Sequence, residues 1–167
     1  MKSLAVTQRF DVKRNLALVF LVAMLLVAIA VSGYGNSPAA NAGKSVAERM
    51  KTIGIIGGVS WQSSIEYYRQ INDLVGKRLG GLHSGKILMY SIEFGDFSKQ
   101  ERLASQGNWA PLRKTMIDAA QRLKREGADF IVIASNTMNS TADLIEAKVK
   151  IPVLHIADAT GQKVALK

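Results

Sequence analysis

The chain contains no cysteine, so it can form no disulfide in any compartment and offers no thiolate to a metal or to proton transfer. Stability has to come from burial. Histidine is nearly as scarce: His83 lies in a turn after Gly80-Gly81, His155 ends an apolar run, and neither has a partner at the spacing a metal site requires. Both read as structural hydrogen-bonding groups, and no metal is expected. Aromatic residues make up 7% of the chain and are not interleaved with the basic ones, so the excess of 22 Lys+Arg over 13 Asp+Glu leaves no nucleic-acid footprint. Trp61 and the pair Tyr67-Tyr68 read as packing around a helix, with a stacking platform for bases as the remote alternative.

No apolar run is long enough for a comfortable membrane span; the longest extends from Leu16 to Val31. Before it stand Lys2, Arg9, Lys13 and Arg14, and after it Ser32-Gly33-Tyr34-Gly35 and a small-residue tract, the order of a secretory signal peptide. Ala40-Asn41-Ala42 supplies a small-x-small pattern, which predicts cleavage before Gly43 and export to the periplasm. The alternative is an anchor through residues 16–31, and only such an uncleaved leader would bring the chain to a membrane. Without residues 1–42 the balance is 18 basic to 12 acidic residues, or +6, a solvated surface that attracts small anions. Residues 43–49 form a linker. Met50 directly precedes the first core run, so an upstream extension from a misjudged start is a third reading of the leader.

From residue 50 to 167 short apolar runs alternate with longer amphipathic ones, with no internal repeat or low-complexity tract, which predicts an α/β domain built on a parallel sheet. Strands are expected at Thr52 to Ile56, Lys86 to Ile92, Phe130 to Ala134 and Val153 to Ile156. Between the first two, Ile65, Tyr68, Leu74, Val75 and Leu79 recur at helical spacing, and Gly80-Gly81 ends that helix. Leu112, Met116, Ala119, Ala120 and Leu123 mark a second helix with Pro111 in its first turn and Gly127 at its end. A shorter helix runs through Ile145 and Val149, and another begins near Ala159, with Asp158 as its cap or as a group orienting the cleft. Segment 94–110 has little periodicity and reads as a long loop over the cleft side.

Gly54, Gly57 and Gly58 follow a strand and precede a helix, but Ile56 stands where a dinucleotide fingerprint needs its second glycine. Two readings remain: a tight turn, or exposed amides at a helix start that hold a carboxylate, with Ser60, Ser63 and Ser64 as further donors. The second apolar landmark is Phe130 to Ala134, which runs straight into Ser135-Asn136-Thr137, at the strand end where open α/β folds place their ligands.

These blocks carry a resemblance. Met50 to Gly58, then Gly57-Gly58-Val59-Ser60-Trp61-Gln62-Ser63-Ser64 with Tyr67-Tyr68, resemble the opening of the aspartate/glutamate racemase family. Arg78 to Ser84, Glu126 to Phe130 and His155 to Thr160 are similar to later blocks in the same order. The resemblance implies a cofactor-independent amino-acid racemase, in which two groups on opposite faces of a cleft exchange the α-proton of a small acidic amino acid. It maps Ser135 onto the first acid–base position, usually cysteine and sometimes threonine, and Asn136 and Thr137 onto contacts to the substrate carboxylate. Gly58, Ser60 and Trp61 fall in the other substrate-binding block.

Two departures qualify the expected chemistry. A hydroxyl is a far weaker acid than a thiol and needs a base to act, and Asn139 stands where the family often has histidine. The family's later Gly-Cys-Thr-Glu block, which holds the opposing group, has no counterpart before Lys167, so the domain is expected to be the first half of the family's fold. A catalytically inactive module that binds a carboxylate or amino acid, or a truncated gene product, are the alternative readings. An incomplete sheet exposes apolar surface, which the homodimer implied by the resemblance would cover.

Overall fold

The structure, a computed structural model, describes residues 50–156 together with Ser45. The expected leader, the linker apart from Ser45, and the expected last helix with Asp158 lie outside the described residues. Four parallel strands form one sheet: β1 (Ile53–Gly57), β2 (Ile87–Ser91), β3 (Phe130–Ile133) and β4 (Val153–Leu154), in the order β2-β1-β3-β4. β1 and β3 are buried along their whole length, which is why both read as continuous apolar runs without alternation. Ile53 pairs with Ile87 on one side and with Phe130 on the other, so the carboxyl ends of the three strands come out together. At the opposite end, the Thr52 amide donates to Asp129 Oδ2 at 2.6 Å and the Asp129 amide to the Thr52 carbonyl at 2.8 Å, which fixes the register of β1 against β3.

Helices cover both faces. Helix α1 (Trp61–Leu79) buries Tyr67, Ile71 and Val75 against Ile53, Ile55, Phe130 and Val132. The other face packs α2 (Phe94–Ser105), α3 (Ala110–Arg125) and α4 (Ala142–Val149) against Ile56, Ile131 and Ile133. Pro111 sits in the first turn of α3, where a missing amide hydrogen costs nothing. Lys150 ends α4 in the left-handed region at φ 55°, and Lys124 Nζ donates to the carbonyls of Val149 (2.7 Å) and Lys150 (3.1 Å), satisfying groups left open at that helix end. Among the described residues no helix is long and apolar enough to cross a membrane.

Two expectations need correction. Segment 94–110 is not a long loop, because twelve of its residues form α2. Glu93 accepts from the amides of Gly95 (2.7 Å) and Asp96 (2.8 Å), so a carboxylate neutralises the positive end of the helix, while Phe97 and Ala104 are buried seven residues apart. With only two core contacts in twelve residues, the apolar period is too sparse to see. The inward face of the first helix is also only partly the expected one. Ile65 is 56% exposed, Tyr68 52% and Trp61 60%, whereas Tyr67 and Ile71 are each at 1%. Of the expected row Ile65, Tyr68, Leu74, Val75 and Leu79, only Leu74 and Val75 reach the core, where they join Tyr67 and Ile71; periodicity alone does not choose between neighbouring rows. Burial raises the Tyr67 phenol to a pKa of about 12.

Candidate functional site

The carboxyl ends of β1, β2 and β3 define one rim of the sheet. The Ala134 amide donates to the Ile56 carbonyl at 2.9 Å, and since Ile56 pairs with Ile133, Ser135 follows level with Gly58. On the other side of β1 the Ile92 amide donates to the Gly57 carbonyl, also at 2.9 Å, which sets Glu93 and the start of α2 on that flank. The structure therefore brings the Gly58–Trp61 turn and the Ser135–Thr137 turn to adjacent strand ends, the place where parallel sheets bind ligands.

The β1–α1 turn is shaped by close approach. Gly58 has φ +85°, and a Cβ there would lie 2.1 Å from the Ile92 carbonyl oxygen and 2.5 Å from its nitrogen. Only glycine fits. Ser60 follows at φ 142°, a sparsely populated conformation for a residue with a side chain, and caps α1 by accepting from the Ser63 amide at 3.4 Å. The donors expected to face a carboxylate are largely engaged inside the turn. The Gly58 amide donates to Ser64 Oγ at 2.9 Å in a buried bond, Ser64 Oγ donates to the Ser60 carbonyl at 3.2 Å, and Ser63 Oγ to Ser60 Oγ at 3.4 Å. Gly58 thus contributes shape. Ser60 Oγ donates to Gln62 Oε1 at 3.1 Å on the exposed side, a bond that a ligand carboxylate can replace. Trp61 stands exposed at the first position of α1.

At the end of β3 the chain bends at Ala134, just before Ser135, and a 3₁₀ turn (Thr137–Thr141) leads into α4. Ser135 is half-buried, whereas Asn136 and Thr137 are exposed. Behind them Met138, Asn139 and Thr141 are buried. Asn139 was legible in the sequence only as a polar residue in the position where histidine is often found, yet it organises this corner. Its Nδ2 donates to the carbonyls of Ser135 (2.7 Å) and Ile133 (3.2 Å), and its Oδ1 accepts from the Ile156 amide (3.3 Å). The sequence offered only a polar residue a few positions past an apolar strand; the burial that obliges it to be hydrogen-bonded is visible in the structure alone.

Among the described residues at this rim, Glu93 is a carboxylate that is already committed. Glu93 is held below its ordinary value of 4.5, chiefly by the amide of Asp96 and then by that of Gly95, and is ionised at neutral pH. His83, in the turn after α1, lies at the far end of that helix and does not join the site. His155 follows β4 on the outer side of β3.

Residues 56–167 match the Asp/Glu/hydantoin racemase family. The chain is similar to a crystal structure assigned as an Asp/Glu racemase from Yersinia pestis, with 47% identity and a TM-score of 0.65 over 70% of this chain and 50% of that one. It is also similar to an aspartate racemase homologue from Pyrococcus horikoshii OT3, with 30% identity and a TM-score of 0.60 over 70% of this chain and 49% of that one. Among curated proteins it shares 24% identity over 115 residues with the broad specificity amino-acid racemase RacX of Bacillus subtilis (strain 168), 67% of this chain and 48% of the relative. The chain spans about half the length of the relatives it matches. With its family match, its strand order and its two adjoining turns in agreement, this chain belongs to the Asp/Glu/hydantoin racemase family.

Proposed function

We propose that this chain forms one face of a cofactor-independent amino-acid racemase site for a small acidic amino acid. The observation that supports the reading is the placement of Ser135, Asn136 and Thr137 at the carboxyl end of the buried strand β3, beside the Gly58–Trp61 turn. Asn136 and Thr137 are exposed there and carry amide and hydroxyl donors suited to the α-carboxylate. Ser60 and Trp61 line the neighbouring strand end, and Ser135 presents its hydroxyl toward the α-carbon.

Racemisation removes the α-proton on one face and returns a proton on the other, so the two acid–base groups have different tasks in each direction. An unassisted hydroxyl is a poor base, but it can give a proton to a carbanion. In this reading Ser135 returns the proton on its face, and a base on the opposite face removes it. This chain has no cysteine, so no thiol of its own serves as that base. By itself the chain binds the amino acid and exchanges its α-proton only slowly: solvent hydroxide takes the proton on the open face, Ser135 returns one on its own face, and water reprotonates the serine oxygen.

Calorimetry with L- and D-aspartate and glutamate tests the binding step, with Asn136→Ala and Thr137→Ala expected to weaken it. Deuterium exchange at the α-carbon tests the chemical step. The serine hydroxyl in place of a thiol favours one second reading, a carboxylate-binding module without chemistry, for which binding without any exchange is the expected result.

A further inference from the structure

We infer that Asn139 is the positioning residue of the site, the group that sets the direction of Ser135 by clamping three backbone segments at the ends of β3 and β4. The assignment rests on the functional reading of Ser135 given above. Asn139 is 2% exposed, and its side-chain amide makes three hydrogen bonds: Nδ2 to the Ser135 carbonyl at 2.7 Å, Nδ2 to the Ile133 carbonyl at 3.2 Å, and Oδ1 from the Ile156 amide at 3.3 Å. Its own amide donates to the carbonyls of Ser135 and Asn136, each at 3.3 Å. The Ser135 carbonyl is thus held from two directions by one residue.

This matters because β3 proper ends at Ile133 and the chain must change from strand to 3₁₀ turn across Ala134–Asn136. The Ala134 amide, on the Ile56 carbonyl, makes the last ladder bond of this segment among the described residues. Beyond it the Asn139 side chain takes over from the ladder: it holds the Ile133 and Ser135 carbonyls, at a bend where Ser135 is half-buried and Asn136 and Thr137 are exposed. The third bond reaches across to Ile156, just past β4, so the same residue ties the neighbouring strand end to the Ser135 turn. Only a side chain with both a donor and an acceptor at this length does all three.

Three substitutions separate positioning from mere packing. Asn139→Ala removes every side-chain bond. Asn139→Leu fills the space without polar atoms. Asn139→Asp keeps the shape but presents an anion to two carbonyls at neutral pH and regains a donor when protonated. The first readout is amide hydrogen exchange by NMR in the full chain. In Asn139→Ala and Asn139→Leu, protection of the Ile156 amide should fall at least tenfold, while that of Ile55 changes in proportion to global stability. In Asn139→Asp the Ile156 protection should return as the pH is lowered, because a buried carboxyl facing carbonyl groups has a raised pKa and is protonated below it.

The second readout is function. Asn139→Leu should lower α-proton exchange by about 10- to 100-fold, as expected for a displaced reacting group, while the dissociation constant for the amino acid changes by less than about threefold. Wild-type protein that neither binds nor exchanges would refute the functional reading, and the Ile156 exchange would still judge the clamp. Unchanged Ile156 protection in Asn139→Leu overturns the clamp. Intact exchange activity alongside lost protection overturns the positioning role.

Discussion

Replacing Gly58 by alanine tests the closest backbone approach at the site. The residue sits at φ +85°, where a Cβ costs about 1–2 kcal/mol on conformation alone. The added carbon would also lie 2.1, 2.5 and 2.9 Å from the O, N and C atoms of Ile92, all backbone, so no side-chain rotation relieves the contact. Moving Ile92 away breaks its 2.9 Å bond to the Gly57 carbonyl, a further cost of about 1 kcal/mol. The sum is about 3 kcal/mol, a large share of a typical domain's stability, and corresponds to a fall in Tm on the order of 10–20 °C.

Gly107→Ala provides the control. Gly107 has a similar φ of +94°, but a Cβ added there would meet nothing within 4 Å, so the variant loses about 1 kcal/mol through conformation only. Thermal and urea denaturation followed by circular dichroism should therefore rank Gly58→Ala well below Gly107→Ala. Equal losses for the two variants would refute the packing argument at the β1–β2 strand ends.

Other outcomes follow from single contacts. Ser64→Ala leaves the buried Gly58 amide without its acceptor and should lower stability by about 1–3 kcal/mol in urea titrations. Glu93 has a depressed pKa in the folded state, so its contribution is present above the unfolded value of 4.5 and is lost as pH falls through the lower folded value. Glu93→Gln should flatten the acid limb of the stability profile in that window. Tyr67 shows the opposite case: its folded pKa is raised to about 12 from 10.0, so stability present below 10 is lost as pH rises through 12, and Tyr67→Phe should remove that alkaline loss. If the leader acts as a signal peptide, intact mass of periplasmic protein should correspond to a chain starting at Gly43, and a species that retains residues 1–42 would contradict cleavage.

The elements with continuous apolar runs were legible in the sequence. β1 and β3 have no exposed face, so their residues need no alternation and stand out as blocks, and α3 displays its core positions Leu112, Met116, Ala119, Ala120 and Leu123 at clean helical spacing. Helix α2 was not legible because its N-terminal cap is a glutamate and its core contacts are only Phe97 and Ala104. On α1 the inward residues Tyr67, Leu74 and Val75 were legible, but the exposed Trp61, Ile65 and Tyr68 are as apolar as they are and could not be told from them. At the site, Ser135, Asn136 and Thr137 could be located from the strand that precedes them. The inward use of the Gly58 amide and the bonds of Asn139 to Ile133 and Ile156 depend on contacts with residues six to seventeen positions away, which no local pattern reveals.

The most direct measurement is α-proton exchange of L- and D-aspartate and glutamate in heavy water, comparing wild type with Ser135→Cys and Ser135→Ala. If Ser135 is the acid–base group on one face, wild type exchanges slowly, Ser135→Ala does not exchange, and Ser135→Cys exchanges faster with one enantiomer only. Absence of exchange in both wild type and Ser135→Cys, or equal exchange in wild type and Ser135→Ala, would contradict the assignment.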